Sequence, residues 1–151
     1  MLYFEDIEIG EVTEYGQYEV TREEVIEFAS KYDPQPFHLD DEAAAKTFFG
    51  KISASGWHTC AMTMRMMVEQ MRATKMATQG SPGVDKIRWH KPVYPGDTLR
   101  VRSTVTGSKD LPSKPHLGLR LNSYEVLNQD DVVVMTFEAA GIIEKRPAAA
   151  S

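Results

Sequence analysis

The chain passes through stretches of helical and strand-like spacing in an order that already outlines a fold. Residues 13–20 alternate weakly and predict a short first strand. Thr21 and Glu24 have the spacing of a capping box, and Val25, Ile26, Phe28 and Ala29 follow at helical intervals, so a helix is expected over 22–32, stopped by Pro34. A short helix is expected after Asp40, carrying Ala43, Ala44 and Ala45 to about Phe48, with Gly50 as its stop. Beyond Gly56 neither Pro nor Gly occurs until after Met76, and Met, Arg, Glu and Gln dominate, which predicts the longest helix. Cys60, Thr63, Met67, Met71 and Thr74 share one stripe, with Met64 and Val68 beside it. Apolar residues over so much of the circumference predict burial on more than one side.

After Gly80, Pro82 and Gly83 the spacing becomes strand-like almost to the end. A strand is expected over 84–89. Pro95-Gly96-Asp97 reads as a turn into a strand whose Leu99, Val101, Ser103 and Val105 share a face. Leu117, Leu119 and Leu121 are expected to begin the next inward face, Asn128 to Asp131 to form a hairpin turn, and Val133, Met135, Phe137 and Ala139 to form another inward row. One strand, several helices and then a block of long antiparallel strands define an α+β domain, its curved sheet wrapped about the long helix. The domain is expected over 3–145, with 146–151 a frayed, disordered tail rich in Pro and Ala.

At 151 residues one domain is expected, large enough for a core without disulfides or structural metal. Seventeen basic against 22 acidic residues, with no basic run, argue against general nucleic-acid binding, which needs a basic patch. The single cysteine, Cys60, excludes an intramolecular disulfide and fits a reducing compartment; no secretory signal pattern or bilayer-length apolar stretch is present, so a cytoplasmic location is expected. The four histidines show no zinc-type spacing, and no metal is expected. Cys60 reads as a small core residue and the methionines as core filling, with the lining of an apolar tunnel as the alternative.

Two segments carry candidate chemistry. In Asp33-Pro34-Gln35-Pro36-Phe37-His38, each proline drives the residue before it towards extended geometry, giving a stiff strip that holds an acid and an imidazole five residues apart. Such a pair suits acid–base work; the alternative is a helix-ending loop whose Asp33 and His38 bond only to backbone. In Ala54-Ser55-Gly56-Trp57-His58-Thr59, a glycine opens the long helix, where free N–H groups attract developing negative charge. The alternative makes Ser55 a helix cap and Gly56 a packing necessity.

Together these segments resemble the MaoC-like dehydratases, the family that includes the (R)-specific enoyl-CoA hydratases. The family pattern of Asp, one residue, Asn, Pro, one residue, His, followed closely by an acid, reads here as Asp33 to His38 with Asp40. The glycine-bearing stretch 54–59 and Lys91-Pro92-Val93-Tyr94-Pro95-Gly96-Asp97-Thr98-Leu99 resemble, in order, the family's entry to its central helix and its strand entry. Gln35 stands where the family often has Asn, and Met64, beside Thr63, where some relatives carry a serine.

The resemblance implies a single hot-dog fold, assembled as a homodimer, that reversibly hydrates a trans-2-enoyl-CoA to an (R)-3-hydroxyacyl-CoA. It implies Asp33 and His38 as the acid–base pair and the Gly56 N–H as donor to the thioester oxygen. Coenzyme A enters as part of the acyl-CoA substrate, with no separate cofactor and with neither nucleic acid nor membrane as a partner. A hot-dog acyl-CoA thioesterase and a non-catalytic acyl-CoA-binding protein are the alternatives.

Overall fold

A computed structural model describes residues 1–148. A short 3-10 turn, Phe4–Asp6, precedes β1 (Val12–Glu19), α1 (Arg22–Tyr32), a second 3-10 turn (Pro36–His38), α2 (Asp41–Ala45) and α3 (Gly56–Ala73). Then follow β2 (Gly83–Trp89), β3 (Thr98–Asp110), β4 (Leu117–Leu127) and β5 (Val133–Glu144). The five strands form one antiparallel sheet in the order β1-β3-β4-β5-β2, one face of which packs against α3. This is the expected α+β arrangement. No helix among the described residues is long and apolar enough to cross a membrane.

The weak alternation of β1 has a physical cause. Thr13 and Tyr15 are half-buried, then a bulge shifts the register, and Tyr18 and Val20 take the inward positions instead. The bulge is made at Gly16, whose φ of +88° is open to glycine at little cost, and a Cβ there would collide with Met66 of α3. The bulge thus brings β1 close to the helix and turns Tyr18 towards α1.

In β3, Leu99, Val101, Ser103 and Val105 are all buried on one face, as expected. In β4 the inward row is Asn122, Tyr124 and Val126, out of step with the expected Leu117–Leu119–Leu121 row, of which only Leu117 is buried. Large residues occupy both parities of β4, and pairing decides between them: Val101 lies opposite Val126 and Ser103 opposite Tyr124, and cross-strand partners share a face. Each fully buried Leu or Val of this core contributes roughly 1.5–3 kcal/mol.

The long helix also differs from its expected face. Thr59, Met62, Thr63, Met66 and Met67 are buried against the sheet, while the stripe through Cys60, Met64, Met67 and Met71 lines an apolar cavity of about 620 Å³ beside β2 and β5. Both rows are apolar, so periodicity alone could not tell core from cavity. α2 ends at Ala45, earlier than expected, where the Thr47 hydroxyl takes the Ala44 carbonyl. At the far end, Arg146 is tied to the N-terminal turn: its guanidinium bonds Asp6 at 2.7 Å and its N–H bonds Glu5 at 2.9 Å, so the tail expected from 146 is held at its first residue. Residues 149–151 of that tail lie outside the described residues.

Candidate active site

The end of α1 and the start of α3 meet at the strip 33–38. Asp33 ends α1, its N–H still bonded to Ala29 O at 2.9 Å, and Gln35 is extended as the following proline requires. The strip is not wholly non-helical: Pro36, Phe37 and His38 close one 3-10 turn, with the His38 N–H bonded to Gln35 O at 2.9 Å. Proline at the first position of a turn has no N–H to waste, so Pro36 begins this turn two residues after Pro34 has closed off α1. The turn swings His38 back towards Asp33 and buries it, only 5% exposed.

Two donors hold the Asp33 carboxylate, and an imidazole faces it. Ser55 Oγ donates to Oδ2 at 2.7 Å, Gln35 Nε2 donates to Oδ1 at 2.7 Å, and His38 Nε2 lies 3.4 Å from Oδ2. Burial works to raise the Asp33 pKa, but the bonds from Ser55 and Gln35 and the nearby imidazole together outweigh it, leaving the carboxyl below its usual range. Asp33 is therefore ionised at neutral pH. The Gln35 departure from the family pattern is accommodated by its amide, which bonds the very carboxylate it follows.

The other ring nitrogen of His38 is fixed from behind. Nδ1 lies 2.7 Å from Ser53 O, a carbonyl that can only accept, so in the neutral ring Nδ1 carries the hydrogen and Nε2 presents its lone pair towards Asp33. The strip carrying Ser53 is itself anchored, the Ala54 N–H bonding Val93 O at 2.7 Å. His38 thus does bond backbone, and that bond aims its other nitrogen at the acid.

Ser55 caps α3, accepting from the Trp57 N–H at 3.3 Å while donating to Asp33. Gly56, the first residue of the helix, lies in the same cleft of about 390 Å³ as Asp33 and His38, and its N–H has no intrahelical acceptor. Its lack of a side chain also has a packing reason. The Trp89 indole covers its Cα, donates from Nε1 to Gly56 O at 3.0 Å, and would lie 2.5 Å from an added Cβ. Asp40, the acid completing the family pattern, stands apart and caps α2 through the Ala43 N–H at 2.9 Å. Thr63 bonds Thr59 O at 2.7 Å and lines the apolar cavity, not this cleft.

Three participants escaped the sequence reading. Ser55 was legible as a cap but not as the partner of Asp33, 22 residues away. Trp57 and Trp89 form a T-shaped pair, ring centroids 5.6 Å apart, and Trp57 borders both the polar cleft and the apolar cavity. The tryptophans come from α3 and β2, and no local pattern links them.

A single antiparallel sheet against a long helix, with an acid–imidazole pair at that helix's N-terminus, defines a hot-dog protein with an acid–base cleft. The sequence profile described as MaoC like domain matches residues 6–124, and the chain belongs to this MaoC-like dehydratase family. The MaoC-like dehydratase from Rhodospirillum rubrum is 33% identical with a TM-score of 0.84, over 98% of this chain and 100% of that one. A Mycobacterium tuberculosis protein with a double hotdog fold, 19% identical, matches in fold with a TM-score of 0.77 over 99% of this chain and 46% of that one. The 3-hydroxybutyryl-CoA dehydratase of Methylorubrum extorquens is 31% identical over 107 residues, which are 70% of this chain and 64% of that protein.

Proposed function

We propose that this protein reversibly hydrates a trans-2-enoyl-CoA to an (R)-3-hydroxyacyl-CoA. The observation that carries the reading is the convergence of two proton acceptors, Asp33 Oδ2 and the His38 Nε2 lone pair, 3.4 Å apart in a cleft, with the imidazole tautomer held by Ser53 O. Two such acceptors can bind the two hydrogens of one water and leave its oxygen lone pair facing the substrate. Asp33 orients and deprotonates that water, and His38 is its partner in the proton relay. The water oxygen bonds to C3, the C2–C3 π electrons move towards the thioester oxygen, and C2 then takes a proton from the relay. The negative charge gathered on the thioester oxygen meets the Gly56 N–H at the positive end of α3. Because the thioester itself acidifies C2, the chemistry calls for no metal, nicotinamide or flavin.

The apolar cavity adjoining the cleft at Trp57, lined by Met64, Met67, Val84, Ile87 and Phe137, offers room for the acyl chain. The R stereochemistry follows the family resemblance. β2 is an edge strand with Val84 and Trp89 exposed, which supports assembly with a second copy.

The test is turnover of crotonyl-CoA followed as loss of enoyl-thioester absorbance, with free thiol measured in parallel. Absorbance loss without thiol release is the expected result. Stoichiometric thiol release would make the protein a thioesterase, and binding without either change would make it an acyl-CoA-binding protein.

A further inference from the structure

On the other side of the α1–α3 junction lies a second buried imidazole that the reaction does not use. His58, in the first turn of α3, is 3% exposed; its Nε2 lies 3.2 Å from Glu24 Oε1, and its ring stacks on Phe28, centroids 4.7 Å apart and planes 8° from parallel. Glu24 is the residue that the sequence assigned to a capping box. Its N–H does bond Thr21 Oγ1 at 3.3 Å, but its carboxylate is committed elsewhere, accepting from the Tyr18 hydroxyl and from His58. The neighbouring cleft adds Glu27 and Lys31 from α1 and Ala61 and Met62 from α3. Burial pushes the His58 pKa down against the opposing pull of Glu24, so the ring is neutral, and Nε2–H donates to Glu24.

His58 Nδ1 is buried without a partner among the described residues. Packing alone does not call for a histidine here, since a phenylalanine would stack on Phe28 without burying an unpaired nitrogen. What the imidazole adds is one directional bond to α1. That bond and the Ser55–Asp33 bond attach α1 to the first turn of α3 at two points, through Glu24 near the helix start and Asp33 at its end, about 13 Å apart at 1.5 Å per residue.

We infer that His58 is a positioning residue for the candidate active site: through Glu24 and Phe28 it holds α1 against the start of α3, and so holds Asp33 in place relative to His38 and the Gly56 N–H. The inference rests on the proposed hydratase reading for its kinetic consequence, but its geometric consequence stands apart from it. An acid displaced by about 1 Å loses up to ~100-fold in rate while the substrate still binds.

The experiment compares His58→Phe, which keeps the stack, and His58→Gln, which keeps an amide donor for Glu24, each alone and combined with Asp33→Asn. Kinetics with crotonyl-CoA are read beside the ring 15N resonances of His38, which report its contact with Asp33. For His58→Phe we expect kcat to fall roughly 10- to 100-fold with KM changed by less than about twofold, and the His38 resonances to move. His58→Gln should recover most of that loss. In the Asp33→Asn background His58→Phe should add little, because the two act through one group. An equal loss in both backgrounds, or unmoved His38 resonances with unchanged kcat, would overturn the inference. Should His58→Phe not fold, Glu24→Leu breaks the same bond from its 43% exposed partner and is judged by the same criteria. If the wild-type protein does not hydrate crotonyl-CoA, the proposed function fails and the His38 resonances alone decide, their constancy counting against positioning.

Discussion

Two clusters flank the junction of α1 and α3, and they are built from the same three kinds of group. One has Asp33, His38 and the Ser55 hydroxyl; the other has Glu24, His58 and the Tyr18 hydroxyl. The difference lies behind each imidazole. His38 has a carbonyl at Nδ1, so its Nε2 lone pair is free and points at the acid across an open cleft. His58 Nδ1 has no partner among the described residues, and its one hydrogen sits on Nε2, where Glu24 accepts it. The first arrangement can take a proton from a bound water; the second is a finished bond between two helices. The backbone acceptor, and not the presence of acid and imidazole, separates the pair proposed to react from the tether.

The contrast breaks most readily at Asp33 and His38. Asp33→Asn and His38→Ala should each lower hydration at least ~100-fold while the protein stays folded. Near-normal turnover by either folded variant would remove that residue from the mechanism. The matching change at the other cluster is the smaller kinetic effect already described for His58.

Gly56→Ala should come next, with kcat reduced about 10²- to 10³-fold if its N–H serves the thioester oxygen. Since the added methyl must also displace the Trp89 indole, the substitution is best made with and without Trp89→Leu. A double variant restored to the rate of Trp89→Leu alone would leave Gly56 as a packing residue. A double variant that stays slow supports the oxyanion role.

Ser55→Ala sharpens the comparison through pH. The hydroxyl favours ionised Asp33, so its loss should raise the Asp33 pKa and move the acid limb of the kcat/KM profile to higher pH. Activity then falls at mildly acid pH and changes little on the alkaline side. An unmoved acid limb would mean that the profile reports some other group.

The smallest effect is on stability. The folded His58 takes up its proton at lower pH than the unfolded chain does, so below the ordinary value near 6.5 the unfolded state binds more protons. Its contribution is therefore complete above that value and fades as pH falls towards the depressed pKa. Thermal unfolding across this window should show an acid loss that is smaller in His58→Gln, which has no proton to gain. An identical pH dependence in the two proteins would contradict a neutral buried His58.

Much of this could be read from local pattern. The limits of α1 follow from Thr21 at one end and the pre-proline Asp33 at the other, and the structure places that helix over Arg22–Tyr32 as expected. The face of β3 followed from alternation, and Asp33, His38 and Gly56 were marked by proline and glycine chemistry that acts within a few residues. These features depend on short-range sterics and hydrogen bonds, which the sequence of neighbours largely dictates. Other decisions needed the folded chain. Which parity of β4 faces the helix was settled by its register with β3, and whether Met64 and Met71 fill the core or line a cavity was settled by where β2 and β5 lie. Glu24 has the right spacing for a capping box, yet its carboxylate leaves for Tyr18 and His58 because the bulge at Gly16 and the packing of α3 bring them within reach. The sequence by itself thus determined the elements and the candidate acid, imidazole and glycine. Only the tertiary structure decided which imidazole has a carbonyl behind it, because a hydrogen bond from His38 to Ser53, 15 residues away, exists only when the chain has folded back on itself.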